Sequence, residues 1–359
     1  MPSRLPERAT REHMNGVALI TVLLVVAIAT ILAVGMLRSQ FLALQHAAGL
    51  FDQDQAWLYT QGAEDFVREV LRQDFDDDKR NSRQVDHPGE TWAQPFPPFP
   101  VDGGVIHARV SDQQAHFNLN RIWHDNAPDP VAAAIFQRLL KSLGLPDTLV
   151  PALTDWIDAD NEATGSDGAE DDMYSRLDTP YRVANQPISD ISELRLIKGF
   201  TPEIIAKLRP YVCALPATAL LNINTADPVT LAALTTSMTS RNASELSSQR
   251  PSKGYASVDE FLAQPVFNGL DATKKTEIRQ QIDVRSHYFQ LLADAEIAGR
   301  HSMVLAVIAR GDSGTLNVIA RDFSQKFAAP AASAGSNSGT NNNSDPTMDS
   351  AVKAARDLL

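Results

Sequence analysis

The stretch EHMNGVALITVLLVVAIATILAVGML, Glu12 to Leu37, decides how the chain is read. No charged residue occurs from Val17 to Leu37, and about 20 apolar residues rising about 1.5 Å each span a hydrocarbon core of about 30 Å. A membrane helix is the first reading. Arg4, Arg8 and Arg11 precede the run, which keeps the leader cytoplasmic and sends the bulk of the chain across the membrane. Arg38, just beyond, pulls weakly the other way. A secretory signal peptide is the alternative, since Ala27-Ile28-Ala29 offers a small-residue cleavage site and a mature terminus at Thr30. Against it, Ile31, Leu32 and Val34 prolong the apolar run where a cleavage region turns polar.

Beyond the run nothing stops a helix. No proline lies between Val17 and Pro88, and Phe41, Leu44, Ala48, Phe51 and Leu58 recur at three-and-four spacing, continued loosely by Phe66 and Val70. The pattern predicts one helix from Val17 to about Asp74, roughly 85 Å long, with half in lipid and half laid against a globular head. Two helices broken near Gly49 or Gly62 are the alternative.

The rest of the chain can build that head. Its 359 residues, 43% hydrophobic and 21% charged, suffice for two domains. A net charge of -12 opposes nucleic acid or anionic lipid as a main partner. Cys213 is the single cysteine, so the chain closes no internal disulfide. After the proline-rich PFPPFP (Pro95–Pro100), Val105, His107 and Arg109 alternate with Ile106, Ala108 and Val110 as in a strand. HYFQLLADAEIAG, HSMVLAVIARG and TLNVIARDF read as three more strands near the carboxyl end. Between them, Pro128 to about Val284 reads as mostly helical, as in PVAAAIFQRLLKSL and PEIIAKLRPYV. A sheet interrupted by a helical insert follows, with the strands before and after the insert pairing to each other.

Within the insert, DWIDADNEATGSDGAEDDMYSRLDTPYRVANQPISDISELRLIKGF (Asp155–Phe200) is the densest acidic feature. Carboxylates crowded this closely repel unless solvated or neutralised, and calcium takes six to eight oxygen ligands from such groups. As an EF-hand loop the match is partial, with Asp160, Glu162, Thr164, Gly165 and Asp171 near the required positions. A solvated acidic loop, with Asp155 only capping a helix, accounts for the spacing equally well.

A charged leader ending in glycine, a proline-free apolar run and an amphipathic continuation resemble the type IV pilin class. That resemblance implies cleavage after Gly16 by a prepilin peptidase and methylation of the new terminus at Val17. Pilins usually carry glutamate at the fifth mature position, where this chain has Thr21. DWIDAD, GAED, YRVAN, SELRLIKG and LNINTA, together with FNLN, further resemble the K-type minor pseudopilins of bacterial type II secretion, over most of Gly16 to Phe323.

The resemblance implies an α+β fold, pilin-like, with a long amino-terminal helix and an antiparallel sheet interrupted by a large helical inserted domain. The chain then divides into a leader (1–16), a membrane helix (17–37), a first pilin-like part (38–127), the insert with calcium-binding loops (128–284), carboxyl-terminal pilin-like strands (285–327) and a low-complexity, disordered tail (328–359). It implies calcium on Asp158, Asp160, Glu170 and Asp171, with Asp155 and Asp190 as further candidates. Some members pair two cysteines in the insert, which Cys213 cannot do here. It implies a tip subunit in the inner membrane with its globular part in the periplasm. Its partners would be the I- and J-type minor pseudopilins, the major pseudopilin, the prepilin peptidase and the inner-membrane assembly platform.

The alternative is a membrane-anchored nucleic-acid binder. SELRLIKGFTPEIIAKLRPYV and LNINTADPVTLAAL, followed by GYASVDEFLAQPVF, also resemble helix-hairpin-helix modules, but the turn Gly199-Phe200-Thr201 lacks the second glycine. Lys253, Lys274, Lys275 and Arg279 form a modest basic set, more in keeping with a solvated face than with a phosphate track. An enzyme is not expected: His107, His116, His287 and His301 are scattered, and neither a nucleophile elbow nor a phosphate loop occurs.

Overall fold

A computed structural model describes residues 11–323, with side chains from Ala18 onward. The expected tail 328–359 and most of the leader lie outside the described residues, and of Gly16 and Val17 only the helical backbone is described.

Helix α1 runs unbroken from Arg11 to Arg80, about 105 Å at the standard rise. Gly49 and Gly62 do not interrupt it. Its membrane-proximal half is exposed on all sides, and ion pairs three or four residues apart, such as Arg72 with Glu69 (2.6 Å) and Asp76 (2.7 Å), support the far end. It stops at Asn81-Ser82, where Ser82 takes a φ of 51°. The buried stripe is Ala56, Thr60, Ala63, Val67, Val70 and Leu71. This corrects the expected one: Phe41, Leu44, Phe51 and Leu58 are apolar at helical spacing yet exposed, and only Phe66 and Val70 of that set reach the head.

Strands β1 (Phe99–Val101) and β2 (Gly104–Asp112) precede the insert. Within it lie β3 (Phe117–Asn118), β4 (Trp123–His124), β5 (Ala127–Pro128), β6 (Val212–Cys213), β7 (Leu221–Asn222) and β8 (Ile282–Asp283), each of two residues. After it come β9 (Tyr288–Ile297), β10 (Arg300–Arg310) and β11 (Leu316–Asp322). The main sheet is antiparallel in the order β1-β2-β9-β10-β11. As the sequence predicts, the strands flanking the insert pair, with Asp112 opposite Phe289. Strict alternation in β9 buries Phe289, Leu291, Ala293, Ala295 and Ile297 on one face, where they form one core with α1.

The sheet register leaves residues 113–287 between β2 and β9. Phe117, Leu119 and Ile122, placed by sequence in the first pilin-like part, pack in the insert's own core with Phe136 of helix α2 (Pro130–Ser142), Leu153 and Trp156. That core begins ahead of Pro128 because FNLN is its first structural element.

FNLN and LNIN open two related units. β3 pairs in parallel with β6, and β7 in parallel with β8. In the first unit Asn120 clamps Ile188, giving its amide to the carbonyl (2.8 Å) and accepting the N–H (2.9 Å). In the second unit Asn224 clamps Tyr255 the same way, at 3.1 and 2.7 Å. Each clamp precedes a cap two residues on, Asp190 or Ser257, and a glutamate three further, Glu193 or Glu260, that reaches back to the backbone. The insert is thus a tandem of two similar folds.

A buried polar hub joins the tandem to the pilin body. Asn222 donates to the Asp86 carbonyl (3.0 Å), the Asp112 carboxylate (3.2 Å) and Ser286 Oγ (2.8 Å). Arg310, 5% exposed, pairs with Asp74 (3.1 Å) and Asp86. Burial, then the neighbouring Asp86, pushes Asp74 up to about 7, and burial pushes Asp112 up to about 6.

Candidate metal site

Helix α3 (Leu149–Ile157) buries Ala152, Leu153, Trp156 and Ile157, and this orientation carries Asp155 fully inside. Asp155 accepts the backbone N–H of Thr164 (3.0 Å) and of Ala169 (2.7 Å), so its carboxylate ties both limbs of the acidic loop beneath the helix end. At Gly168 any Cβ would collide with that carboxylate and with the Thr164 backbone. Lys198 Nζ holds the back of the loop through the carbonyls of Asp167 (3.2 Å) and Gly168 (3.1 Å).

The chain leaves α3 extended at Asp158, and Glu170 stands just ahead of the short helix α4 (Asp171–Tyr174). One carboxylate oxygen from each of Asp158, Asp160 and Glu170 falls within 4.8 Å of the others. Asp158 and Glu170 are 3% and 6% exposed. Asp158 Oδ1 and both carboxylate oxygens of Glu170 are buried and make no hydrogen bond. Burial, and then the surrounding carboxylates, pushes Glu170 up to about 7 and Asp158 up to about 6. Buried acceptors without partners are costly, and a cation is the chemical species that satisfies several at once. Hard oxygen donors suit calcium better than a softer transition metal.

The structure therefore brings together three of the residues singled out by sequence and gives the other three different tasks. Asp171 accepts the Val183 N–H at 3.0 Å, Asp155 holds the loop, and Asp190 caps the 3-10 helix Ile191–Leu196 through Ser192 N at 2.8 Å. The EF-hand spacing from Asp160 does not organise the loop, because the Thr164 N–H turns to Asp155. Sequence inspection missed Lys198 and Asn185 as supports; the latter, at a φ of 47°, donates to the Asp160 carbonyl at 3.1 Å.

Comparison with known proteins places this architecture. Two family models of type II secretion system protein K match residues 115–217 and 221–285, one for each unit of the tandem. The type II secretion system protein K of Pseudomonas aeruginosa is 37% identical over 321 residues, covering 88% of this chain and 94% of its own length. The chain belongs to the type II secretion system protein K family. The Aeromonas hydrophila member is 35% identical over 333 residues, covering 86% of this chain and 97% of its own. A chain in the crystal structure of the GspK–GspI–GspJ complex from the enterotoxigenic Escherichia coli type 2 secretion system superposes with a TM-score of 0.71 at 30% identity. The match covers 78% of this chain and 99% of that one. Pilin-like sheet, long helix and insert are thus family features, and the apolar amino-terminal helix fits a single-pass anchor. The likeness favours the pseudopilin reading over the helix-hairpin-helix alternative. In keeping with that, the short helix after Gly199 begins with Thr201, Pro202 and Glu203, so an acid stands in the first turn, where it would repel a phosphate.

Proposed function

We propose that the chain is a minor pseudopilin that assembles with I- and J-type partners, sits at the tip of the pseudopilus and starts its assembly for export of folded proteins. This reading is supported by the family likeness over 88% of the chain together with an insert that leaves the sheet at the end away from the apolar half of α1. Arg300, at the β9–β10 turn, lies against Gly49 on the membrane-proximal part of α1, whereas Asp112, Phe289 and Arg310, where the insert departs, lie beside Asp74. The role is structural and not catalytic. The anchor is held in the inner membrane with the head in the periplasm, and the prepilin peptidase, the major pseudopilin and the assembly platform are further partners.

Calcium on Asp158, Asp160 and Glu170 is the second part of the proposal. The fit rests on the orphaned oxygens of Asp158 and Glu170. The ion would supply positive charge to a loop that otherwise concentrates like charge, ordering it without the disulfide that Cys213 cannot form.

Processing tests the pilin-like route to the membrane. The mature protein is expected to begin at methylated Val17, read as the mass of its amino-terminal peptide, and Gly16→Val is expected to leave the full precursor. A mature terminus at Thr30 would overturn the reading in favour of a signal peptide.

A further inference from the structure

The two units of the insert differ by two additions. Residues 121–128, with the β4–β5 hairpin, stand in the first unit where the second has only 225–226 before the matching Asp-Pro-Val helix start. Residues 158–187 stand between α3 and the clamped Ile188, where the second unit has only 249–254 between helix Ser240–Ser248 and the clamped Tyr255. The two additions meet. Trp123 and Asp125 from the hairpin face Ala159 and Gln186 from the acidic loop across an open cavity of about 350 Å³ floored by Ile157 and Ala217. That volume is at the lower end of the range of binding pockets.

The second unit shows what such a place holds. Its short loop is already occupied: Arg83 of the pilin body donates to the carbonyls of Lys253 and Gly254, each at 2.7 Å. In the first unit the corresponding side is open. Arg121 turns to Asp129 (3.3 Å), and the His124 ring lies between two carboxylates, with one ring nitrogen 3.2 Å from Asp129 and the other 3.2 Å from Asp125. Asp125 projects at the hairpin tip, touching only His124 among the described residues with its side chain 96% exposed, and is set by the positive φ of 53° and 59° that a two-residue turn imposes on Asp125-Asn126. Half-buried Trp123 offers an apolar wall beside it. Two carboxylates, Asp125 and Asp129, thus stand against one permanent cation, Arg121, beside a surface that takes an apolar side chain.

We propose that the groove binds an extended segment of a partner polypeptide that presents an apolar side chain to Trp123 and a flanking lysine or arginine to Asp125. The site does not require metal binding at Asp158, Asp160 and Glu170, although it shares the loop.

The test uses the full chain in a neutral detergent with calcium present, and follows the anisotropy of dye-labelled acetyl-Lys-Leu-Lys-Leu-Lys-amide and its Glu-Leu-Glu-Leu-Glu counterpart. The basic peptide is expected to bind saturably and the acidic one not to. Thr218→Trp, at an exposed position on the groove rim, fills the space and is expected to weaken binding at least tenfold. Gln186→Trp does the same from the opposite wall, Asp125→Asn weakens binding severalfold, and unchanged melting temperatures confirm that each variant is folded. No saturable binding of the basic peptide at millimolar concentration, binding by both filled variants as tight as that of the wild type, or equal binding of the acidic peptide would each overturn the proposal.

Discussion

At Glu170 a single side chain carries two unsatisfied buried oxygens, and its substitution separates a metal site from an ordinary acidic loop. Asp158→Asn and Glu170→Gln remove charge that is costly to bury. In chelator these variants are expected to melt higher than the wild type. With calcium the order reverses: binding to the native state alone adds RT ln(1 + [L]/Kd), about 2.7 kcal/mol at a hundredfold excess over Kd, and the variants lose most of that gain. A wild type whose melting curve ignores calcium would sink the site. The carboxylates of Asp155 and Asp171, which accept backbone N–H groups, behave differently, since truncation to alanine lowers stability with or without calcium by about 1–3 kcal/mol. The sequence shows all these acids but not their division of labour, because spacing along a loop does not say which oxygens a backbone amide will reach.

The same carboxylates set the response to pH. Asp158 and Asp112 titrate at about 6 and Asp74 and Glu170 at about 7 in the folded protein, above the roughly 4 of unfolded aspartate and glutamate. The folded state thus holds protons more tightly than the unfolded chain. The stability these groups contribute is present below about pH 4 and lost as the pH rises through their folded values. In chelator the melting temperature is expected to fall between about pH 4 and about pH 7. Calcium should flatten the share that belongs to Asp158 and Glu170, because metal and proton compete for the same oxygens. A melting temperature that rises with pH in chelator would contradict the buried, repelling arrangement.

Among the elements, α1 was the most legible from sequence and the most misleading in detail. Its length follows from an apolar run, the lack of proline and abundant helix formers. Its buried face does not, because Phe41, Leu44, Phe51 and Leu58 carry the same periodic signature whether they meet their own sheet or a surface outside the chain. Gly62 gives this a measurable form. It is exposed within the helix, and a Cβ there would meet nothing within 4 Å. Gly62→Ala is therefore expected to stabilise the head by up to about 1 kcal/mol through helix propensity, seen as a higher melting temperature with unchanged calcium response. Destabilisation would mean that the helix is hinged at this point. At Gly49 the crowding group is the mobile guanidinium of Arg300, so alanine there costs little more than a side-chain shift.

On the scale of the whole molecule, sequence showed a sheet split by an insert because alternation on both sides of a helical region can be read residue by residue. It did not show that the insert is a tandem. The repeated Asn-x-Asn and Asp-Pro signals lie in units of different length, and the extra hairpin and acidic loop of the first unit conceal the match. The resulting shape bears on fibre position. The insert rises from the end of the sheet farthest from the exposed half of α1, held by the Asn222 and Arg310 hub, where a subunit stacked above would have to lie. Thr21, whose hydroxyl turns back to the Ala18 carbonyl at 2.9 Å, lacks the carboxylate with which a pilin helix would neutralise the charged terminus of its predecessor in lipid. A subunit added first has no predecessor to neutralise. Thr21→Glu is therefore expected to leave secretion largely intact, and protein labelled on the insert should appear at one end of assembled fibres. Regular labelling along the shaft would rule the tip position out, since each insert would then have to fit beneath the next subunit.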